Sequence, residues 1–147
     1  AFGRFRDRNP KGRVLIPNQP EARRYGSSPY VRMDSSEGIG LEMFELPAGV
    51  RPYDRVIAIE NKAWTLKMLQ GRRVISDGGV VLRWQPGQNS IHDTRIISFG
   101  RDVGNVTVQR YSPALRIWQD AIYHVPFAYA FRVFLPNAAL YYDIPWQ

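Results

Sequence analysis

The sequence predicts a compact, single α+β or mainly β domain of short antiparallel strands, with one short C-terminal helix and an extended basic N-terminal arm. Short β-branched and apolar runs alternate with turn residues about every 8–12 positions, which is typical of a sheet-rich fold. One later apolar run, Phe127–Phe134, follows Pro126 and has a helical pattern instead. The first residues are rich in proline and arginine and lack hydrophobic periodicity. We therefore expect an arm over residues 1–32 and a globular domain over residues 33–147.

The arm is predicted to be extended because Pro10, Pro17, Pro20 and Pro29 exclude a helix of any length. Only Arg13–Ile16 has the composition of a strand. Arms of this kind fray unless a partner or the body of the protein holds them. We therefore expect this arm to be held by its own domain or by a neighbour.

The body of the chain is predicted to form hairpins and short strands. In chain order these are Gly38–Leu46, the hairpin of Arg55–Glu60 with Ala63–Leu69, the hairpin of Val74–Ile75 with Val80–Trp84, Arg95–Phe99, Val106–Tyr111 and an edge strand at Ala139–Ile144. The pattern of Leu115–Ile122 fits either a strand or a helix. Phe127–Phe134 is predicted to be a buried helix that ends before Pro136, because apolar residues lie nearly all round it.

The positive charge is concentrated at the start of the chain. The formal net charge is +7, and residues 1–32 hold eight basic and two acidic residues, so that the rest is nearly neutral. Arginine favours paired contacts with carboxylates and phosphates. The predicted partner-binding residues of the arm are Phe2, Arg4, Phe5, Arg6, Arg8, Arg13, Arg23 and Arg24. We expect them to contact protein subunits of a larger assembly, with an anionic surface or lipid headgroups as further candidates.

Composition also excludes several classes of protein. The chain has no cysteine, which excludes disulfides, thiolate metal sites and a cysteine nucleophile. No window approaches the roughly 18 apolar residues that a membrane helix needs. The chain begins at Ala1, which is consistent with a removed signal peptide, a removed initiator or a trimmed chain. Nucleic acid is disfavoured as a partner, because the basic residues lie in the arm and not among the aromatic strands.

The candidates for chemistry are few. His92 and His124 are the two histidines, and with Asp93 they match a metal centre in residue type alone, so we predict no metal site and no cofactor. The alternative is a purely structural role, in which His92 lies in a polar loop and the ring of His124 caps the late helix. In the Gly100–Gly104 loop, Arg101 and Asp102 either pair with each other or bind an anionic group. A small-ligand or hydrolytic site would therefore combine His92, Arg101, Asp102 and His124, while no nucleophile-elbow motif is present.

Several short motifs occur in an order that resembles a bacterial family known as domain of unknown function 3179. They are Tyr25-Gly26, Pro29-Tyr30, Asp34-Ser35, Leu46-Pro47, Arg55–Ala58, Trp64–Leu69, Trp84-x-Pro86-Gly87, Gly100–Gly104, His124-x-Pro126-Phe127, Ala130-Phe131 and Phe134-x-Pro136. The resemblance covers about residues 20–140 and implies an exported bacterial protein with no established activity. This chain looks like a shortened, cysteine-free member, since it has Trp84–Gly87 where some relatives have a Cys-Pro-Leu-Cys segment.

These observations favour a non-catalytic structural or binding subunit. We expect it to be periplasmic or otherwise extracytoplasmic, peripheral to a membrane, and docked on a larger membrane-associated complex such as a respiratory or photosynthetic assembly. The basic arm would clamp a neighbouring subunit. Two alternatives are a small-ligand-binding or hydrolytic enzyme centred on the Gly100–Gly104 loop, and an RNA-binding accessory protein that uses the arm.

Overall fold

The computed structural model describes residues 2–36 and 45–143, without the side chain of Arg4. Its helices are α1 (Phe2–Arg8), α2 (Leu66–Arg72) and α3 (Ala128–Phe134). Its strands are β1 (Val56–Ile59), β2 (Lys62–Thr65), β3 (Val74–Asp77), β4 (Val80–Gln85), β5 (Asn105–Ser112), β6 (Ile117–Asp120) and β7 (Ala139–Tyr141). Single 3₁₀ turns occur at Pro20–Ala22, Met33–Ser35 and Ile97–Phe99.

The strands form two sheets, which confirms the predicted sheet-rich α+β class. One sheet has the order β1-β2-β7, and the other has the order β3-β4-β5-β6. All pairs are antiparallel except β2 with β7, which run parallel. The predicted edge strand at Ala139–Ile144 therefore exists, but it ends at Tyr141, and its partner strand runs in the same direction. Ile144 lies outside the described part of the chain.

The core has two halves that meet at β1. All four residues of β1 are buried, so the strand is covered on both faces. Ile57 and Ile59 belong to one apolar cluster, with Leu69 and Leu82 among its buried members. Val56 and Ala58 belong to the other, with Phe131 of α3. Because Arg55 directly precedes this strand, its side chain starts at the edge of the core.

Helix α1 shows that the prediction of an entirely non-helical arm was wrong. The first proline, Pro10, lies beyond the last turn of the helix, so the prolines limit its length without excluding it. Arg6 and Arg8 lie in the last turn, where a positive charge is favoured by the helix dipole. The strand predicted at residues 38–46 falls mainly on residues outside the described ranges.

Three strand predictions were wrong. Residues 13–16 form no strand, and in the other two segments local capping and turns prevail. The run predicted over residues 63–69 is a strand only as far as Thr65, whose hydroxyl oxygen accepts a hydrogen bond from the Met68 N–H at 3.3 Å and caps α2. Residues 95–99 contain a single bridge at Ile96 and then a 3₁₀ turn. The ambiguous segment at residues 115–122 contains a strand, β6.

The late helix was predicted correctly, but its burial was not. Ala128 and Phe131 are buried, whereas the side chain of Phe134 is 82% exposed. The apolar residues all round this helix therefore include some that face solvent. Among residues 2–36 and 45–143, no helix is long and apolar enough to cross a membrane.

Candidate functional site

The inner end of the arm is joined to the loop that follows β4. We call residues 26–36 the arm root. The Ser28 N–H donates to the Arg95 carbonyl at 2.9 Å, and the Arg32 N–H donates to the Asp93 carbonyl at 2.9 Å. In the opposite direction, the Ile97 N–H donates to the Gly26 carbonyl at 3.0 Å. These bonds satisfy backbone groups on both segments, so the root is docked along the loop.

A buried polar cluster fastens the same root to the core. The Arg55 guanidinium makes two hydrogen bonds to the Asp34 carboxylate, at 3.0 and 3.1 Å. The Ser90 hydroxyl donates to Asp34 and accepts from Arg55 at 3.1 Å. Only 7% of the Asp34 side chain and 15% of the Arg55 side chain are exposed, and Ser90 is fully buried. The Asp34–Arg55–Ser90 cluster therefore links three separate parts of the chain by hydrogen bonds: the arm root, the residue before β1 and the loop after β4.

The cluster contains a serine, an acid and a nearby histidine, but its geometry is not that of a catalytic triad. The His92 backbone N–H, and not its ring, donates to the Ser90 hydroxyl oxygen at 2.9 Å. A triad needs a ring nitrogen that accepts the serine proton. The Ser90 proton is directed at Asp34 instead. Ser90 therefore serves as a hydrogen-bonding link between Asp34, Arg55 and the loop.

The ring of His92 packs among aromatic side chains. Its centroid lies 6.1 Å from that of Tyr30 and 5.4 Å from that of Phe127. Burial lowers the pKa of His92 below its ordinary value, and the nearby Arg55 charge adds to this effect while Asp34 opposes it. Its buried Nδ1 atom has no hydrogen-bond partner among the described residues. The prediction that His92 lies in a loop is confirmed, and its ring mainly contacts the rings of Tyr30 and Phe127.

Arg101 and Asp102 form separate sets of contacts. The Arg101 guanidinium binds the Asp93 carboxylate at 2.9 and 3.0 Å, and its backbone N–H donates to the same group at 2.8 Å. These contacts hold the pKa of Asp93 below its ordinary value. Arg101 therefore pairs with Asp93 and not with the adjacent Asp102.

The Asp102 carboxylate organises two turns. It accepts backbone hydrogen bonds from Gly87 at 2.8 Å, Gln88 at 3.0 Å and Gly104 at 2.7 Å, which lower the pKa of Asp102. Gly104 has a φ of +72°, and a Cβ atom there would clash with the indole of Trp84. The second glycine of the predicted loop is thus required by its conformation and by the close approach of an aromatic ring.

Arg101 and Asp102 do line a common cleft, of about 190 Å³, between their loop and the start of α2. Its three guanidinium groups all have carboxylate partners, namely Arg51 with Asp54, Arg55 with Asp34, and Arg101 with Asp93. The described lining includes neither histidine. The cleft is smaller than the pockets of roughly 300–1,000 Å³ that hold most small ligands. The charges of these three guanidinium groups are compensated within the protein, so this arrangement holds loops together.

His124 lies apart from these groups. Its backbone N–H and carbonyl both pair with Ala58 of β1, at 3.0 and 2.9 Å, while the residue itself is exposed. The residue at the N-cap of α3 is Phe127, so the prediction that His124 caps this helix was wrong. Across the described ranges, no group of three or more histidines and carboxylates could hold a metal ion.

The outer part of the arm is exposed to solvent. Phe2 and Phe5 of α1 line shallow clefts on the body, and Arg8 approaches Asp120 at 3.3 Å. The side chain of Arg4 lies outside the description. The remaining predicted arm residues are exposed, and they are Arg6, Arg13, Arg23 and Arg24. Between them, Leu15 is 97% exposed and Ile16 is 74% exposed.

Sequence reasoning missed the Asp34–Arg55–Ser90 cluster as a unit. One signal was available, because Arg55 stands directly before four apolar residues of a core strand. A charge in that position requires a partner when the strand is buried. The identity of the partner could not be read in this way, since Asp34 and Ser90 are 21 and 35 residues away.

A comparison with protein families gives a match over most of the chain. A family model described as "Protein of unknown function (DUF3179)" matches residues 1–137, which include the arm root, the polar cluster and the Gly100–Gly104 loop. No curated protein and no solved structure matches the chain. With nearly its whole length matched, the chain belongs to the DUF3179 family of proteins of unknown function.

Proposed function

We propose that the chain is a non-catalytic structural or binding subunit, and that its basic N-terminal arm docks on a partner protein. The observation that carries this proposal is the exposure of Leu15 and Ile16, at 97% and 74%, within a cationic segment. Exposed aliphatic side chains of this size contribute binding energy when a partner covers them. The segment thus fits a partner surface with an apolar pocket and acidic groups around it.

The contacts of the arm support this role. Within the described residues, the backbone hydrogen bonds of residues 9–25 stay inside the arm, as in the bond from the Gly12 N–H to the Asn9 carbonyl at 2.8 Å. Residues 26–36, in contrast, are tied to the body. Helix α1 also contacts the body, through the pair of Arg8 with Asp120 at 3.3 Å, so residues 10–22 form an exposed segment that is held at both ends. Such a segment loses less entropy on binding a neighbouring subunit than a fully disordered tail.

The proposed setting follows from the family resemblance. We place the protein in the periplasm or another extracytoplasmic compartment, peripheral to a membrane, with its partner in a larger membrane-associated complex. A respiratory or photosynthetic assembly is an example. Protease accessibility in intact and lysed cells, followed with an antibody to the chain, tests the compartment. Protection until the inner membrane is broken would contradict it.

Substitution of the exposed aliphatic pair tests the arm. The double variant Leu15→Ser/Ile16→Ser keeps the charge, and Ile122→Ser is a matched control because Ile122 is 87% exposed on the body. We expect the double variant to lose at least about tenfold in co-purification with a membrane complex, whereas the control retains it. A synthetic peptide of residues 1–24 should compete with the whole chain. Unchanged assembly of the double variant, or of a chain lacking residues 1–24, would refute the proposal.

Catalysis or small-ligand binding at the Gly100–Gly104 loop is the weaker proposal. Arg101 and Asp102 both have partners within the protein, and Ser90 is not paired with a base. RNA binding through the arm predicts a steep loss of affinity with salt. The docking proposal predicts that aliphatic substitutions matter as well, so the serine variants distinguish the two.

A further inference from the structure

The far end of the β5–β6 hairpin carries a group of exposed apolar side chains. We call residues 111–118 the hairpin tip. Leu115 is 61% exposed in the turn, and Ile117 and Trp118 are about half exposed at the start of β6. Tyr111, on the opposite strand, is also exposed. None of these residues belongs to the arm or to the polar cluster.

The register of the hairpin places these side chains on both of its faces. Tyr111 is opposite Trp118, and their ring centroids lie 5.4 Å apart. Ile117 is opposite Ser112, so it points to the other face. A flat protein surface would cover one face of such a hairpin. A medium that surrounds the tip covers both, as the interfacial region of a lipid bilayer does.

The charges of the tip suit the same medium. From residue 111 to residue 119 the only charged residue is Arg116, which is exposed. The neighbouring Arg110 binds Glu60 at 2.7 Å, and Asp120 lies at the far end of β6, next to Arg8. Residues 111–119 therefore combine a positive charge with apolar and aromatic groups and have no carboxylate.

We propose that the hairpin tip inserts into the surface of a lipid bilayer that contains anionic lipids. Tyr111 and Trp118 lie at the level of the headgroups, where amphipathic rings are favoured. Leu115 and Ile117 reach the boundary of the acyl chains, and Arg116 binds an anionic headgroup. This contact goes beyond the proposed docking function, because it uses a different surface and needs no partner protein.

Vesicle sedimentation with the whole chain tests the insertion. The probes are phosphatidylcholine vesicles with a minority of phosphatidylglycerol, at about 0.5 M salt, which screens the exposed charges of the arm and the tip and leaves mainly the apolar contribution of the tip. The variant Leu115→Ser/Trp118→Ser preserves charge, and Phe99→Ser/Ile122→Ser is the matched control on other exposed positions. We expect a loss of about tenfold in partition for the tip variant and little change for the control. Equal partition of the tip variant and the unaltered chain would overturn the proposal.

Fluorescence gives a second readout that needs no loss of binding. Lipids brominated on the acyl chain close to the headgroup quench tryptophans that lie at the membrane interface. We expect quenching in the unaltered chain and a large reduction of it in Trp118→Phe, which keeps an aromatic ring at the tip. Equal quenching in both proteins would overturn the proposal, as would a complete lack of vesicle binding, which is the result expected if the tip docks on a protein.

Discussion

Residues 10–22 and residues 26–36 are neighbours in the sequence, but they differ in what their backbone and side chains contact. The outer stretch is exposed throughout, with local hydrogen bonds. The root pairs with the loop at residues 92–97 and sends Asp34 into the core edge. Both stretches contain proline and arginine, so composition does not separate them. The difference arises from the availability of a complementary loop and of Arg55.

The contrast extends to the way each stretch uses charge. At the root, the guanidinium and the carboxylate are largely withdrawn from water, and each depends on the other for hydrogen bonds. In the outer arm, Arg6 and Asp7 are 3.8 Å apart and well exposed. Exposed pairs of this kind contribute little, because water and salt screen them. The root is therefore a structural element, while the charges of the outer arm are exposed to solvent.

The largest effect is expected from breaking the root. Asp34→Ala leaves the Arg55 guanidinium largely buried without its carboxylate, and removal of one partner of a buried pair costs about 3–5 kcal/mol. Urea denaturation followed by circular dichroism measures the change in the free energy of unfolding.

Arg8→Ala is the matched control, since it breaks an exposed pair with Asp120. Its cost should be no more than about 1 kcal/mol. If both variants lost the same amount of stability, the distinction between root and outer arm would be wrong.

The regular parts of the fold were predictable from local pattern. The strands near residues 56–59, 74–85 and 106–111 have β-branched runs flanked by turns, and the helix at residues 128–134 follows a proline. The errors occurred where one contact decides the outcome. The Thr65 hydroxyl turns an apolar run from strand to helix, and the bridge between Ser27 and Ile96 depends on a segment about seventy residues away.

The candidate site was less predictable than the fold. Arg101 and Asp102 were correctly placed in a loop, but their partners were not predicted, because Asp93, Gly87 and Gln88 compete with the adjacent residue. The polar cluster joins three distant segments, which no local spacing reveals. In contrast, the exposed Leu15 and Ile16 lie within Arg13–Ile16, the one run of the arm with the composition of a strand.

A smaller effect is expected at the edge of the root, in the pair of Arg101 with Asp93. The pKa of Asp93 is lowered in the folded state, so the pair stabilises the protein above the ordinary aspartate pKa of about 4. This stabilisation is lost as the pH falls through the lowered value. Arg101→Gln should therefore cost up to about 1 kcal/mol near pH 7, and the difference should shrink below about pH 4.

Urea midpoints measured for both proteins across this pH range provide the check. Arg83→Gln is a suitable control, since Arg83 bonds to the neutral Gln109 at 3.0 Å. Its effect should not follow the titration of a carboxylate. A cost for Arg101→Gln that is the same at all pH values would show that the charge of Asp93 is not involved.

The smallest effect on stability is expected in the outer arm. It tests whether the outer arm, unlike the root, is independent of the fold. Leu15→Ser removes a side chain that is 97% exposed, so the free energy of unfolding should change by less than about 0.5 kcal/mol. Leu69→Ala, at a fully buried position of α2, should cost about 2–5 kcal/mol in the same assay. A substantial loss of stability for Leu15→Ser would mean that the outer arm packs on its own domain. In that case its aliphatic side chains would not be available to a partner, and the arm would be part of the fold along its whole length.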